Sequence, residues 1–198
     1  MKIYGVVLKK VLVTVLITCF AYITMNLAFA SDYSNLTKSP ELQAALGKLE
    51  AAHCYRAMAI LNGQNPTRKP IRIMFRNLAV MGFGTCEAVT ANTDKGLIIF
   101  IHSKHKNNSP EAIACLIAHE TEHNENTQTF EEELRAWNTE INTWQKMTAM
   151  NPGLKDGGTD LVKRLNYITK LYKRGNNSMS EIEGILAKNP AYSQLSRS

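Results

Sequence analysis

Residues 109–123 read Ser-Pro-Glu-Ala-Ile-Ala-Cys-Leu-Ile-Ala-His-Glu-Thr-Glu-His, and this stretch decides how the rest of the chain is interpreted. It opens with a serine, a preferred helix N-cap, followed by a proline and a glutamate that favour the first helical turn. Apolar residues then occupy nearly every side of the helix as far as Ala118, which is typical of a buried helix. The sequence therefore predicts a buried helix from Pro110 to about Asn124.

The last five residues of this stretch place two imidazoles, His119 and His123, one helical turn apart. Residues i and i+4 share a helix face, so both side chains can reach one metal ion. Zinc accepts histidine nitrogens and, in catalytic sites, keeps an open position for water. Glu120 is then placed to contact that water and take its proton as a general base. The sequence predicts an enzyme, a zinc-dependent metallohydrolase. Glu122 is expected at the solvent-exposed end of the helix.

A catalytic zinc site needs a third protein ligand. The extended motif HExxHxxGxxH is excluded because Asn126 and Thr129 stand where it requires Gly and His. A carboxylate from the next predicted helix, about residues 130–150, is the remaining candidate. That helix carries an apolar stripe at helical spacing: Phe130, Leu134, Trp137, Ile141 and Trp144.

Glu133 lies about 60° from the centre of that stripe, on the face that meets the core. It is therefore the predicted third ligand, since a carboxylate on an inner face should be paired or bound to metal. Glu140, two turns on along the same edge, is the alternative. Glu131 and Glu132 point away and are expected to remain solvated, stabilising the helix N-terminus through its dipole.

These residues resemble the zincin metallopeptidases, and in particular the gluzincin branch. The resemblance rests on His119-Glu120-Thr121-Glu122-His123 and on Glu133-Leu134-Arg135-Ala136, which is similar to the ExxA run that carries the glutamate ligand in several gluzincin families. It covers roughly Gly96 to Trp144. It implies a peptidase acting on a peptide or protein, with an antiparallel edge strand, here Gly96–His102, that would pair with an extended substrate.

The sequence departs from this family in two respects. Position 122 usually holds an uncharged, often small residue, whereas this chain has Glu122. No residue that would stabilise an oxyanion can be assigned by motif. His102 and His105 follow the strand, but both are expected to be surface histidines.

The N-terminus predicts export. Lys2, Lys9 and Lys10 precede the uncharged apolar run Val11–Leu27, and Ala28-Phe29-Ala30 resembles a cleavage site. Residues 1–30 are thus predicted to be a signal peptide, giving a periplasmic or secreted protein. The alternative is an uncleaved membrane anchor, because the run approaches the ~20 residues that span a bilayer.

The remaining residues, 31–198, are predicted to form one zincin-like metallopeptidase domain. Without the first 30 residues the net charge falls from +6 to +3, and the scattered basic residues argue against binding nucleic acid. Export makes one disulfide plausible among Cys54, Cys86 and Cys115, although the pairing cannot be read from the sequence.

The predicted fold class is α+β, with a small antiparallel sheet packed against the HExxH helix and a C-terminal helical part. Predicted strands are Ile71–Phe75, Val80–Thr90 and Gly96–Ile101, the last two joined by a hairpin at residues 92–96. One helix is predicted from Pro40 to about residue 61, and two more follow residue 159, at about 160–174 and 180–188.

Two further functions remain open. A catalytically inactive protein could keep zinc structurally, in which case a fourth protein ligand should close the coordination sphere. A membrane-tethered interaction module would bind no metal at all, and the HExxH pattern would then be coincidental.

Overall fold

The computed structural model describes residues 31–124 and 128–197. The predicted signal peptide, residues 1–30, lies outside the described residues. Residues Tyr33–Ser198 belong to one compact unit. The predicted α+β class is confirmed: the chain combines helices with a small three-stranded sheet. No helix among the described residues has the length and apolar character needed to cross a membrane.

The elements follow one another as two short helices, a sheet region and a helical C-terminal half. Their bounds are α1 Pro40–Ala51, α2 Tyr55–Leu61, β1 Ile71–Arg76, β2 Ala88–Thr93, β3 Gly96–His102, α3 Pro110–Thr121, α4 Phe130–Met150, α5 Asp160–Arg174, α6 Ser180–Leu186 and α7 Pro190–Ser193. Short 3₁₀ turns occupy Ser103–His105 and Pro152–Asp156. The single helix predicted up to residue 61 is divided in two because His53 adopts a left-handed φ of 53° between α1 and α2.

The sheet has the order β1-β3-β2 and is mixed. β2 and β3 form the expected antiparallel hairpin, with Thr93 opposite Gly96. β1 instead runs parallel to β3, with Ile71 opposite Leu97. The prediction that Gly96–His102 is an edge strand is wrong, because β3 is paired on both sides and cannot accept a further strand. β2 is a terminal strand of the sheet.

The predicted strand Val80–Thr90 is also wrong in its first half. Residues 77–87 form a loop of turns, and only Ala88 onward pairs with β3. Gly82 explains the difference, since its φ of +85° interrupts an extended strand.

Helix α3 lies at the centre of the molecule, where it contacts α1, α4, β2 and β3. Its N-terminus is capped as predicted, since the Ser109 hydroxyl accepts a hydrogen bond from the backbone N–H of Ala112. Every residue from Ala112 to Thr121 is buried. Because this segment is buried on all sides, the orientation of the two histidines at its C-terminal end is fixed.

The three cysteines among the described residues, Cys54, Cys86 and Cys115, are free thiols. The disulfide expected from export is therefore not present in the structure. Cys54 and Cys115 are buried, and burial raises the pKa of Cys115 well above its ordinary value. These two thiols pack as small apolar side chains.

Candidate metal centre

The end of α3 brings the two motif histidines together. The ring centroids of His119 and His123 are 5.2 Å apart, and the side chains are 11% and 10% exposed. Ligand atoms of His119, Glu120 and His123 all lie within 4.8 Å of one another. The described part of the chain thus contains a group of two histidines and a glutamate that could hold a metal ion.

A carboxylate faces the Nδ1 atom of each histidine. Glu132 Oε1 lies 2.7 Å from His123 Nδ1, and Glu140 Oε2 lies 3.2 Å from His119 Nδ1. A carboxylate at this position accepts a hydrogen bond from the Nδ1–H group and leaves the Nε2 lone pair available to a metal. Both imidazoles are therefore oriented to present Nε2 as the ligand atom.

The carboxylate of Glu133 lies close to the Nε2 atoms of both His119 and His123. Its Oε1 lies 3.4 Å from His123 Nε2, and its Oε2 lies 3.9 Å from His119 Nε2. Oε2 is buried and has no hydrogen-bond partner among the described residues. Burial raises the pKa of this carboxyl. A buried carboxylate oxygen without a partner is costly unless a cation compensates it, so the donor set fits a shared metal ion.

Glu120 is held from the sheet. The Thr90 hydroxyl lies 2.7 Å from Glu120 Oε2 and 3.0 Å from the Glu120 backbone oxygen. Thr90 belongs to β2, the terminal strand, and lines a small cavity together with Glu120 and His123. These contacts hold the carboxylate of Glu120 between α3 and β2.

Behind His119 lies a buried ion pair. Arg164 of α5 forms two hydrogen bonds with Glu140, of which Nη2 to Oε2 is 3.0 Å long. Burial alone would raise the pKa of Glu140, but the charge of Arg164 and the bond to His119 lower it to about 2. The guanidinium also lies 4.9 Å above the ring of Trp137, whose edge meets His119 at 6.4 Å. Arg164 therefore keeps Glu140 ionised and in place.

The acidic surroundings of the site favour a cation. Burial would lower the pKa of His123, but the hydrogen bond that His123 donates to Glu132 and the charges of Glu120 and Glu133 raise it to about 9. The site contains four carboxyl groups, those of Glu120, Glu132, Glu133 and Glu140, and their negative charge exceeds the positive charge of Arg164. Without a metal ion this excess of negative charge is met by protons, and a divalent cation would replace them.

Two glutamates on α4 have roles that the sequence analysis did not assign. Glu132 was predicted to be solvated, but it is 2% exposed and contacts His123. The prediction was wrong because His123 lies beyond the end of α3, beside the first turn of α4. It therefore contacts a face of α4 that the apolar stripe does not include. Glu140, the alternative third ligand, contacts Nδ1 and not the inward Nε2.

Two other expectations about exposure were wrong. Glu122 is 2% exposed, and Arg56 from α2 approaches it with Nε and Nη2, each bond 2.8 Å long. This partner lies 66 positions away in the sequence. His105 is 3% exposed and is bonded to Glu87, so it is not a surface histidine.

Further residues near the centre were not found from the sequence. Tyr192 of α7 meets the ring of Trp137 edge-on at 6.5 Å, and burial together with the charge of Glu133 raises its pKa to about 12. Burial, together with the charges of Glu120 and Glu133, raises the pKa of Cys86. Neither residue stands in a motif, and the fold alone brings them to the site.

The hydrogen bond of Glu132 to His123 yields a first prediction. Glu132→Gln should weaken metal binding by roughly 10–100-fold, as loss of a carboxylate partner of a ligating histidine does. Competition with a chromogenic chelator would measure the dissociation constant. Glu183→Gln, the same change on the exposed side of α6, is the matched control and should leave the affinity unchanged. Equal affinities for the two variants would show that Glu132 does not orient the ligand.

No family model, curated protein or solved structure matches this chain. A cluster of two histidines and a glutamate occurs in metal sites of more than one function.

Proposed function

We propose that the chain is an exported zinc-dependent peptidase of gluzincin type, in which His119, His123 and Glu133 bind zinc and Glu120 is the general base. The observation that carries the proposal is the arrangement of Glu133. Its buried, unpartnered Oε2 and its Oε1 lie within 4 Å of the two Nε2 atoms that Glu132 and Glu140 orient inward. Two imidazoles and one carboxylate are a donor set of catalytic zinc enzymes.

Zinc in this position would lower the pKa of a bound water to about 7 and polarise a substrate carbonyl. The protein contributes the fixed directions of its ligands. Glu140 and Glu132 hold the Nδ1 protons of His119 and His123, and Arg164 holds Glu140. This second layer of contacts leaves the ligating atoms little freedom.

Glu120 is suited to moving a proton at the site. The hydroxyl of Thr90 can donate to Oε2 at 2.7 Å, which leaves Oε1 as the oxygen that accepts a proton from the attacking water. The same carboxyl can then deliver the proton to the leaving amine. Tyr192, which contacts the Trp137 ring that in turn meets His119, has a pKa of about 12 and a hydroxyl protonated at neutral pH; it is the donor that we propose for a developing negative charge.

A peptide is the substrate class that the sheet accommodates. The backbone N–H of His102 donates to the oxygen of Glu87, so ladder alternation turns the backbone groups of Ala88 and Thr90 toward the outer side of β2. An extended peptide could pair with those groups. Its scissile bond would then lie beside Glu120, which Thr90 contacts. β2 therefore takes the substrate-binding role that the sequence analysis had given to β3.

Metal content tests the proposal directly. The purified chain should carry about one zinc ion per chain by elemental analysis, and His119→Ala and Glu133→Ala should each lose most of it, because either change removes a ligand. His102→Ala, on a histidine outside the cluster, is the matched control and should retain the metal. Equal metal content in His119→Ala and His102→Ala would contradict the proposal.

The charges of Glu120 and Glu133 act on the thiol of Cys86, and this favours a second candidate, a structural zinc site closed by a thiolate. Cobalt substitution distinguishes the two. An open catalytic site should change its visible spectrum on addition of acetohydroxamate, and Cys86→Ser should leave the spectrum unaltered. A strong thiolate-to-cobalt band that disappears in Cys86→Ser would identify the structural site instead.

A further inference from the structure

The loop before β2 exposes an apolar surface that the proposed chemistry does not use. Val80, Met81 and Phe83 are 83%, 41% and 44% exposed. Seven large apolar or aromatic residues are exposed in the part of the chain that the structure describes, and these three fall within four positions. Exposed apolar residues that are scattered are ordinary, whereas exposed apolar residues that are grouped are more typical of a binding surface. We call these three residues the apolar turn.

The apolar turn is held in a defined conformation. The backbone N–H groups of Met81 and Phe83 donate to the oxygen of Leu78 at 3.1 and 2.9 Å. Leu78 itself is fully buried and anchors the turn in the protein. At the other end of the loop, Glu87 forms an ion pair with Lys104 at 2.7 Å and a bond with His105. The exposed side chains are thus presented from a fixed base.

The loop also adjoins the metal centre. Its penultimate residue, Cys86, is close enough to Glu120 and Glu133 for their charges to act on its thiol. Four positions later, Thr90 contacts Glu120 directly. The backbone N–H of Cys86 donates to the oxygen of Phe83 at 3.0 Å, so Phe83 lies beside Cys86, two residues before β2 begins. The apolar turn therefore adjoins the N-terminal end of β2, the strand whose Thr90 contacts Glu120.

We infer that the apolar turn is a specificity-determining surface that binds a bulky apolar side chain of an extended peptide, two to four residues beyond the cleaved bond on its C-terminal side. This inference rests on the proposed function. A peptide that pairs antiparallel with β2 passes from the Thr93 end toward Ala88, and its C-terminal part reaches the loop last. Antiparallel pairing is also the somewhat more stable arrangement.

The test uses the metal-loaded Glu120→Gln chain, which should bind peptide without turning it over. The probes are two fluorescently labelled decapeptides that differ only in carrying leucine and phenylalanine or, in their place, serine. The apolar peptide should bind about tenfold more tightly, and the triple variant Val80→Ser, Met81→Ser, Phe83→Ser should lose that advantage. Tyr167→Ser with Ile185→Ser, which removes exposed apolar residues elsewhere, is the control and should keep it.

Several outcomes would overturn the inference. One is an equal preference in the triple variant and its parent, and another is no preference in the parent. A third is loss of binding to phosphatidylglycerol vesicles in the triple variant while the peptide preference persists, which would make the turn a membrane contact. In each case the metal content of the parent and of His119→Ala still reports on the proposed function, so the two failures remain distinguishable.

In an active chain the same preference should appear in the products. Digestion of a mixed peptide library, with the cleaved positions read by mass spectrometry, should show apolar residues enriched two to four positions after the cut. The triple variant should cleave without that enrichment. Enrichment on the N-terminal side of the cut would overturn the assigned direction.

Discussion

Glu120→Gln is expected to retain about one metal ion per chain and to lower peptide hydrolysis by roughly 10²–10⁴-fold, the range for loss of a positioned general base. The amide is close in shape to the carboxylate and can still accept a hydrogen bond from Thr90, whose hydroxyl lies 2.7 Å from Oε2. It cannot take a proton from water at neutral pH. The change leaves the proposed ligand atoms of His119, His123 and Glu133 in place.

The measurement is turnover of an unstructured protein such as casein, set beside elemental analysis of the same preparation. Glu183→Gln is the control for the chemical change on an exposed helix and should match the parent in both quantities. Unchanged turnover in Glu120→Gln would remove Glu120 from the reaction. Loss of the metal together with turnover would make Glu120 a ligand, as its place among the clustered ligand atoms also allows.

The sequence predicts local features of this protein well, since they depend on neighbouring residues. The cap at Ser109, the burial of α3 and the hairpin between β2 and β3 all follow from short-range patterns and are confirmed. The interpretation of residues 80–87 was wrong because apolar residues there indicated a strand, although Gly82 adopts a turn conformation. Apolar character alone does not distinguish a buried strand from an exposed apolar turn.

Long-range partners could not be predicted. The face of α4 that carries Glu133 was found from an angle on a helix, but Glu132 contacts His123 because of where the chain re-enters after α3. Likewise, Arg56 reaches Glu122, and Arg164 reaches Glu140, across 66 and 24 positions. Single-sequence periodicity describes one element at a time and contains no information on such pairs.

The buried pair of Arg164 and Glu140 gives the largest expected effect on stability. Glu140 is fully buried, and Arg164 is its cationic partner, with a side chain that is 25% exposed. Arg164→Met should lower the free energy of unfolding by about 3 kcal/mol, because removing one partner of a buried pair leaves the other charge uncompensated. Urea denaturation of the metal-free chain, followed by tryptophan fluorescence, would measure the change.

The matched control is Arg174→Met, which breaks an ion pair of similar length with Glu181 on the surface. There the side chains are 61% and 40% exposed, so the expected cost is about 0–1 kcal/mol. A further variant identifies the cause. Adding Glu140→Gln to Arg164→Met should recover part of the loss, since the neutral amide carries no charge that needs compensation.

The metal-loaded chain should show a second consequence of the same change. Without Arg164, Glu140 loses the charge that holds its pKa at about 2 and lacks the fixed position from which it contacts His119 Nδ1. Metal affinity should then fall by roughly 10–100-fold, as for other partners of ligating histidines. If Arg164→Met were to lower stability but leave metal affinity equal to that of Arg174→Met, the pair would support the fold alone and would have no part in orienting the ligand.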